Sequence, residues 1–145
     1  MAQDASDGED WRRRRREAAD AHAAAAERAR RRDVAQAREL LGGFVAEVRR
    51  RGIDPQPLQA TAQGRRYRTG LTGWYLRRDG SLGVGEDGAY YVLGVQPSLA
   101  ARLRGVHLEP ADPPLQVGRG ARDGEAIDLQ DLIARRLDDL GDLDA

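Results

Sequence analysis

Cysteine is absent from this chain of 145 residues. Disulfide staples, thiolate zinc sites, iron–sulfur clusters and a cysteine nucleophile are thereby excluded. Lysine is absent as well, so all 24 basic residues are arginine. With abundant alanine and glycine, this is the composition of a very GC-rich genome, where a run of arginines carries less functional meaning than elsewhere. Histidine occurs only as His22 and His107. Neither has a second histidine or a ligand-spaced acid nearby, so no metal and no cofactor is expected. No window holds 18 apolar residues, which excludes a membrane-spanning helix. The opening MAQDASDGED is acidic and has no apolar stretch of the kind a secretory signal needs, so a cytoplasmic location is expected.

Large apolar side chains are missing from one part of the chain in particular. Residues 1–33 contain Met1 and Trp11 but no Leu, Ile, Val or Phe. The material for a core therefore lies in residues 34–140. That length supports one domain without metal or disulfide help. Charge is segregated in the same way. Asp4, Asp7, Glu9 and Asp10 make the first ten residues acidic, and residues 12–51 carry 13 arginines against six acids. Residues 52–145 carry 11 arginines against 14 acids, and the total is zero. A net charge of zero offers little opposition to self-association.

These patterns predict a disordered acidic segment at 1–10 and an exposed Arg/Ala-rich helical arm at 11–33. A single α+β domain at 34–140 and an acidic tail at 141–145 complete the chain. From Trp11 to Arg51 the residues are mostly strong helix formers, with Gly42–Gly43 a candidate kink. Val34, Ala37, Leu41, Phe44 and Val48 alternate spacings of three and four, which makes an apolar stripe. Extending that register backward meets Arg30, Glu27, Ala23 and Asp20, so no long coiled coil is expected. Gly52 is placed to end the helix in a left-handed conformation, with Ile53 folding back on Val48.

Beyond it, two Asp-Gly pairs, Asp79-Gly80 and Asp87-Gly88, sit between alternating apolar residues. That is a strong hairpin signal and predicts a three-stranded antiparallel meander. Tyr67 lies in a further short candidate strand. Val106-His107-Leu108 and Leu115-Gln116-Val117 would bring the sheet to five strands. Pro97-Ser98 would open a short helix carrying Leu99 and Leu103. Asp128 is the expected N-cap of a last helix with Leu129, Leu132, Ile133, Leu137 and Leu140 as its buried stripe. The fold class is therefore α+β, a small antiparallel sheet covered by a long N-terminal helix and a C-terminal helix. Trp74 or Tyr91 is expected to meet Leu41, Phe44, Leu132 or Leu137.

Three stretches carry candidate chemistry. Arg12, Arg13, Arg14, Arg15 and Arg16 follow Trp11 and could hold phosphates or an anionic partner. Five consecutive residues point all round a helix, however, so they do not form one stripe. Arg65, Arg66 and Arg68 flank Tyr67, and Tyr75, Arg77 and Arg78 follow. Arginine interleaved with aromatics can stack bases and bind phosphates, or can be an ordinary sheet face where arginine stems cover tyrosine rings. The loop Gly118–Gly124 sits between a strand and a helix as phosphate-binding loops do. It lacks Gly-Lys-Ser/Thr, and Asp123, Glu125, Asp128 and Asp131 would repel a phosphate. No acid pair or nucleophile constellation is evident, so no catalytic residues and no small-molecule substrate are expected.

The stretch RRYRTGLTGWYLRRDGSLGVGEDGAYYVLGVQPSLAARLRG, followed by PADPPLQVGRGARDGE, resembles a family of small uncharacterised proteins from GC-rich bacteria. The resemblance lies in glycine, aromatic and proline positions across residues 34–140. It implies that the meander and the last helix belong to one domain, and it implies no activity or ligand. The functional expectation is a non-enzymatic interaction or scaffold module whose cationic arm engages a protein partner or another copy of itself. The alternative is an accessory nucleic-acid-binding protein using the arginines of the arm and the sheet face.

Overall fold

The computed structural model describes residues 2–96, 105–118 and 126–144, with side chains described for 4–96, 105–118 and 126–141. The chain divides into two units, Met1–Asp33 and Val34–Ala145. Helix α1 spans Ala2–Arg50 and passes through Gly42–Gly43 without interruption. It therefore includes residues 2–10, which composition alone reads as disordered. Asp4 stands in its first turn, where a carboxylate complements the partial positive charge of the helix end. The carboxylate of Asp10 accepts a hydrogen bond from Arg13 one turn later. Adding such turns to an existing helix fixes one residue per hydrogen bond, so only the first turn is costly. Ser6 and Asp10 are consequently interior helical residues.

The helix ends as its sequence dictates. Gly52 has φ 74°, and its N–H donates to the Arg49 carbonyl at 3.0 Å. The Ile53 N–H reaches back to the Val48 carbonyl at 2.9 Å. These two bonds define the Schellman motif and satisfy carbonyls that the helix end leaves open.

Four antiparallel strands follow in the order β1-β2-β3-β4: β1 Gln56–Ala62, β2 Arg65–Tyr75, β3 Leu82–Gly85 and β4 Tyr90–Val92. The sheet thus has four strands, where a meander of three extending to five was expected. The additional strand, β1, pairs with β2 across a two-residue turn, Gln63-Gly64, whose φ values of 50° and 77° are both positive. That is the primed turn geometry matched to strand twist. The register slips at Leu58/Gln59, where β2 carries the extra residues Thr69 and Gly70. Gly70 has φ 75°, and the Thr69 hydroxyl donates to the Leu58 carbonyl at 2.6 Å. Tyr67 and Trp74 accordingly belong to one bulged strand. The Asp-Gly turns form as expected, with Asp79 Oδ1 accepting from Ser81 and Asp87 Oδ1 from Ala89.

Two more strands, β5 Gln116–Val117 and β6 Ile127–Asp128, form a separate two-stranded sheet. Val106-His107-Leu108 is not a strand. Its single ladder-like link is the Val106 N–H to the Arg68 carbonyl at 2.7 Å, beside the rigid Pro110. Helix α2 runs Leu129–Asp144, so the backbone of residues 141–144 is helical rather than a frayed tail. The Leu129 N–H is satisfied by the Leu115 carbonyl at 2.7 Å, while the Asp128 carboxylate accepts from Gln116. The expected helix at Pro97-Ser98, with Leu99 and Leu103, lies outside the described residues.

Alternation sends the two faces of the sheet into different apolar clusters. Trp74, Leu76, Leu82, Val84 and Tyr90 share one cluster with Leu41, Phe44 and Val48 of α1 and Leu129, Leu132 and Ile133 of α2. The helical layer therefore covers the sheet, with Trp74 as the expected aromatic. The Trp74 indole N–H donates to the Ile53 carbonyl at 3.1 Å, and the Arg49 guanidinium lies 5.4 Å from its ring centre. Tyr91 faces the other way, into a second cluster with Leu58 and Leu93 that Tyr75 and Leu108 help to close. A side chain at Gly83 would come within 3.0 Å of Leu93 and 3.2 Å of Leu58, so the glycine makes room for that cluster.

Both outer strands are hydrogen-bonded beyond the sheet. Thr61 of β1 bridges Gly94 in parallel, through Thr61 N–H to Leu93 at 2.7 Å and Val95 N–H to Thr61 at 2.8 Å. On the far side, the Ala111 N–H donates to Tyr90 of β4 at 2.8 Å. Among the described residues, no helix is long and apolar enough to cross a membrane.

Candidate functional site

The unit Met1–Asp33 has no apolar stripe, and nearly all its described side chains are exposed. What it does present is Trp11, which is 56% exposed. The Arg15 guanidinium lies over the Trp11 ring at 4.8 Å from its centre. Arg12 and Arg16 share that flank, together with Ala19. Such an arrangement holds an aromatic surface and several forked donors in one place at little entropic cost, since the cation already rests on the ring.

The five arginines divide their tasks. Arg13 pairs with the Asp10 carboxylate, and Arg14 reaches the Asp10 carbonyl at 3.4 Å. Arg12 and Arg16 form no ion pair among the described residues. Three of the five therefore gather beside Trp11, which a count of consecutive arginines does not reveal. About three turns beyond Arg16, Glu27 accepts from Arg30 at 3.0 and 3.2 Å and meets Arg31 at 3.4 Å. The hydrogen bonds from Arg30, ahead of its charge, hold the Glu27 carboxyl below the usual range. That single carboxylate engages two of the four arginines at 28–32, and Arg28 and Arg32 stand exposed beside them.

Helical spacing adds the acidic complement. Asp4, Asp7, Trp11 and Arg15 recur at intervals of three and four and so lie along one side of α1. Acids occupy one end of this row and arginine the other, with the tryptophan between.

In the unit Val34–Ala145, the other predicted contact residues separate into two groups. Arg65 and Arg68 are exposed on β2. Arg66, Tyr75, Arg77 and Arg78 are brought together, and Arg136 of α2 joins them. Sequence reasoning missed Arg136, which lies 61 residues from Tyr75 and donates from Nε to its carbonyl at 2.8 Å. Tyr75 is not an open stacking platform. It is half-buried in the second cluster, and its hydroxyl accepts the Gln59 N–H at 3.0 Å.

No group of three or more His, Cys, Asp or Glu suited to a metal occurs among the described residues. His107 stands exposed with Glu109 at 2.7 Å, and His22 is exposed on α1. Of the Gly118–Gly124 loop, only Gly118 falls within the described residues, with φ 87°. Compared with protein-family models, with curated proteins and with solved structures, the chain matches none.

Proposed function

We propose that the protein is a non-enzymatic interaction module, and that the N-terminal part of α1 pairs with the same segment of a second copy. The observation that carries this reading is Trp11, exposed at 56% within a row that is acidic on one side and cationic on the other. Two such segments laid antiparallel about a two-fold axis near Trp11 set Asp7 of each against Arg15 of the other. The interface is then self-complementary, as a two-fold dimer requires. Exposed tryptophan and arginine are also the residues on which interface energy concentrates.

The test uses the full-length protein in size-exclusion chromatography with light scattering. A concentration-dependent dimer is expected by about 100 μM at low salt, because a small polar interface gives micromolar affinity at best. Trp11→Ala, Asp7→Arg and Arg15→Asp each should return the monomer. Asp7→Arg combined with Arg15→Asp in one chain should restore the dimer. A wild-type protein that stays monomeric under these conditions overturns the reading. Salt-sensitive binding of single- or double-stranded nucleic acid by that monomer, lost on charge reversal at Arg12–Arg16, would favour the nucleic-acid alternative. The engaged hydroxyl and partial burial of Tyr75 speak against that alternative at the sheet.

A further inference from the structure

A second site lies in the unit Val34–Ala145 and is independent of pairing by α1. Where the β2–β3 hairpin meets α2, a cavity of about 80 Å³ is lined by Thr61, Arg66, Tyr75, Arg77, Arg78 and Arg136, with Gln59, Asp79 and Gly80 completing the wall. That space has room for a small tetrahedral oxyanion.

The wall is rich in donors and short of acceptors. The Arg66 and Arg77 side chains make no hydrogen bond or close ion pair among the described residues, although the Arg77 charge acts on Asp79. Arg136 spends Nε on the Tyr75 carbonyl, and its terminal nitrogens make no further bond there. Because the Tyr75 hydroxyl accepts from Gln59, its own proton is left to donate. The acids nearby are already engaged. Asp79 Oδ1 takes both the N–H and the hydroxyl of Ser81, at 2.9 and 2.7 Å, and Asp139 takes Arg78 at 3.0 Å. Four guanidinium groups against the two carboxylates Asp79 and Asp139 leave two positive charges uncompensated. Burial, with the neighbouring Arg78 charge adding to it against the opposing pull of Asp139, holds the Arg136 guanidinium below its ordinary pKa.

We propose that Arg66, Arg77, Arg78 and Arg136, with the Tyr75 hydroxyl, form a binding site for a phosphate dianion or the phosphoryl group of a small phosphate monoester. Arginine forks match the spacing of phosphoryl oxygens, and the dianion meets the uncompensated charge. The site completes itself only in three dimensions, since β1, β2, the following turn and α2 each supply part of it.

The experiment is a titration of the full-length protein, followed through backbone and arginine Nε resonances. The probes are inorganic phosphate, free phosphoserine and acetate at matched ionic strength. Phosphate at pH 8 is expected to shift Arg66, Arg77, Arg78, Arg136 and Gly80 along saturable curves, with a dissociation constant of about 1 mM or tighter. Binding by phosphoserine as well assigns the site to monoesters, and binding by phosphate alone assigns it to the free ion. Affinity for phosphoserine should fall as the pH drops through about 6, where a monoester becomes a monoanion, and affinity for inorganic phosphate should fall at a higher pH. Arg66→Gln and Arg77→Gln change side chains that make no hydrogen bond among the described residues, so both variants should fold, and each should weaken binding at least about tenfold given a charge-assisted contact. Arg12→Gln should not.

Shifts that never saturate, equal shifts at Arg12–Arg16, acetate binding as well as phosphate, or unchanged affinity in both glutamine variants would overturn the proposal. Repeating the titration with the Asp7→Arg protein keeps this outcome separate from any failure of the α1 pairing.

Discussion

Single residues here show how the same substitution takes opposite signs in different surroundings. Gly42 is exposed within α1, and an added Cβ meets nothing within 4 Å. Glycine costs a helix interior about 0.5–1 kcal/mol relative to alanine, chiefly through backbone entropy. Gly42→Ala is therefore expected to stabilise the protein by about that amount. Gly73 is buried on β2, and a Cβ there would fall 2.0 Å from the Val84 carbonyl oxygen. Strand backbones cannot yield that far locally, so Gly73→Ala should cost about 3 kcal/mol or more. Denaturant unfolding of the two variants beside wild type checks both signs. Residues also mark the limit of sequence reading for the site. Arg66, Tyr75, Arg77 and Arg78 stand out because aromatics and arginines cluster in the chain. Arg136 looks like any solvent-facing arginine of an amphipathic helix, and only the packing of α2 on the hairpin brings it to Tyr75.

At the scale of elements, legibility follows the range of the causes. The cap at Gly52 and the Asp-Gly turns depend on a few neighbouring residues, and they form where the sequence places them. Strand β1 was not legible because Pro57 and Gln59 are poor strand residues. Its partner lies across a Gln63-Gly64 turn that lacks the usual Asn or Asp. Pro57 is tolerated because it falls near the start of an outer strand. Val106-His107-Leu108 has strand-like composition, but only one bond to Arg68 and a proline nearby. The end of α1 adds a pH dependence. Hydrogen bonds from Arg50 and Arg51 lower the Glu47 carboxyl from 4.5 to about 2. A carboxyl depressed in the folded state stabilises it above the unfolded value and loses that contribution as the pH falls toward the folded value. Glu47→Gln should thus flatten the stability curve between pH 4.5 and about 2 and leave its neutral region nearly level. Thermal midpoints across that range provide the measurement. Added salt should shrink the effect, since the group is solvent-facing.

At the scale of the whole molecule, the buried apolar residues among those described all lie in Val34–Ala145, beginning with Ala37. A chain shortened to begin at Asp33 keeps every one of them and gains a good N-cap at its first residue. It should unfold cooperatively with a denaturant midpoint close to that of the full chain. A loss of cooperativity would show that residues 1–32 contribute to the core unit after all. The same division lets the two proposals be tested apart, one on each side of Asp33.

The bonds from Thr61 to Leu93 and Val95, and from Ala111 to Tyr90, have a consequence for the behaviour of concentrated solutions. An uncovered lateral strand is a template on which another polypeptide can grow a ladder, the first step toward fibrils. In this protein the chain's own passing segments already occupy the donors and acceptors at those two points. Crowding should therefore bring molecules together through side chains, reversibly and with salt sensitivity, and not by cross-β stacking.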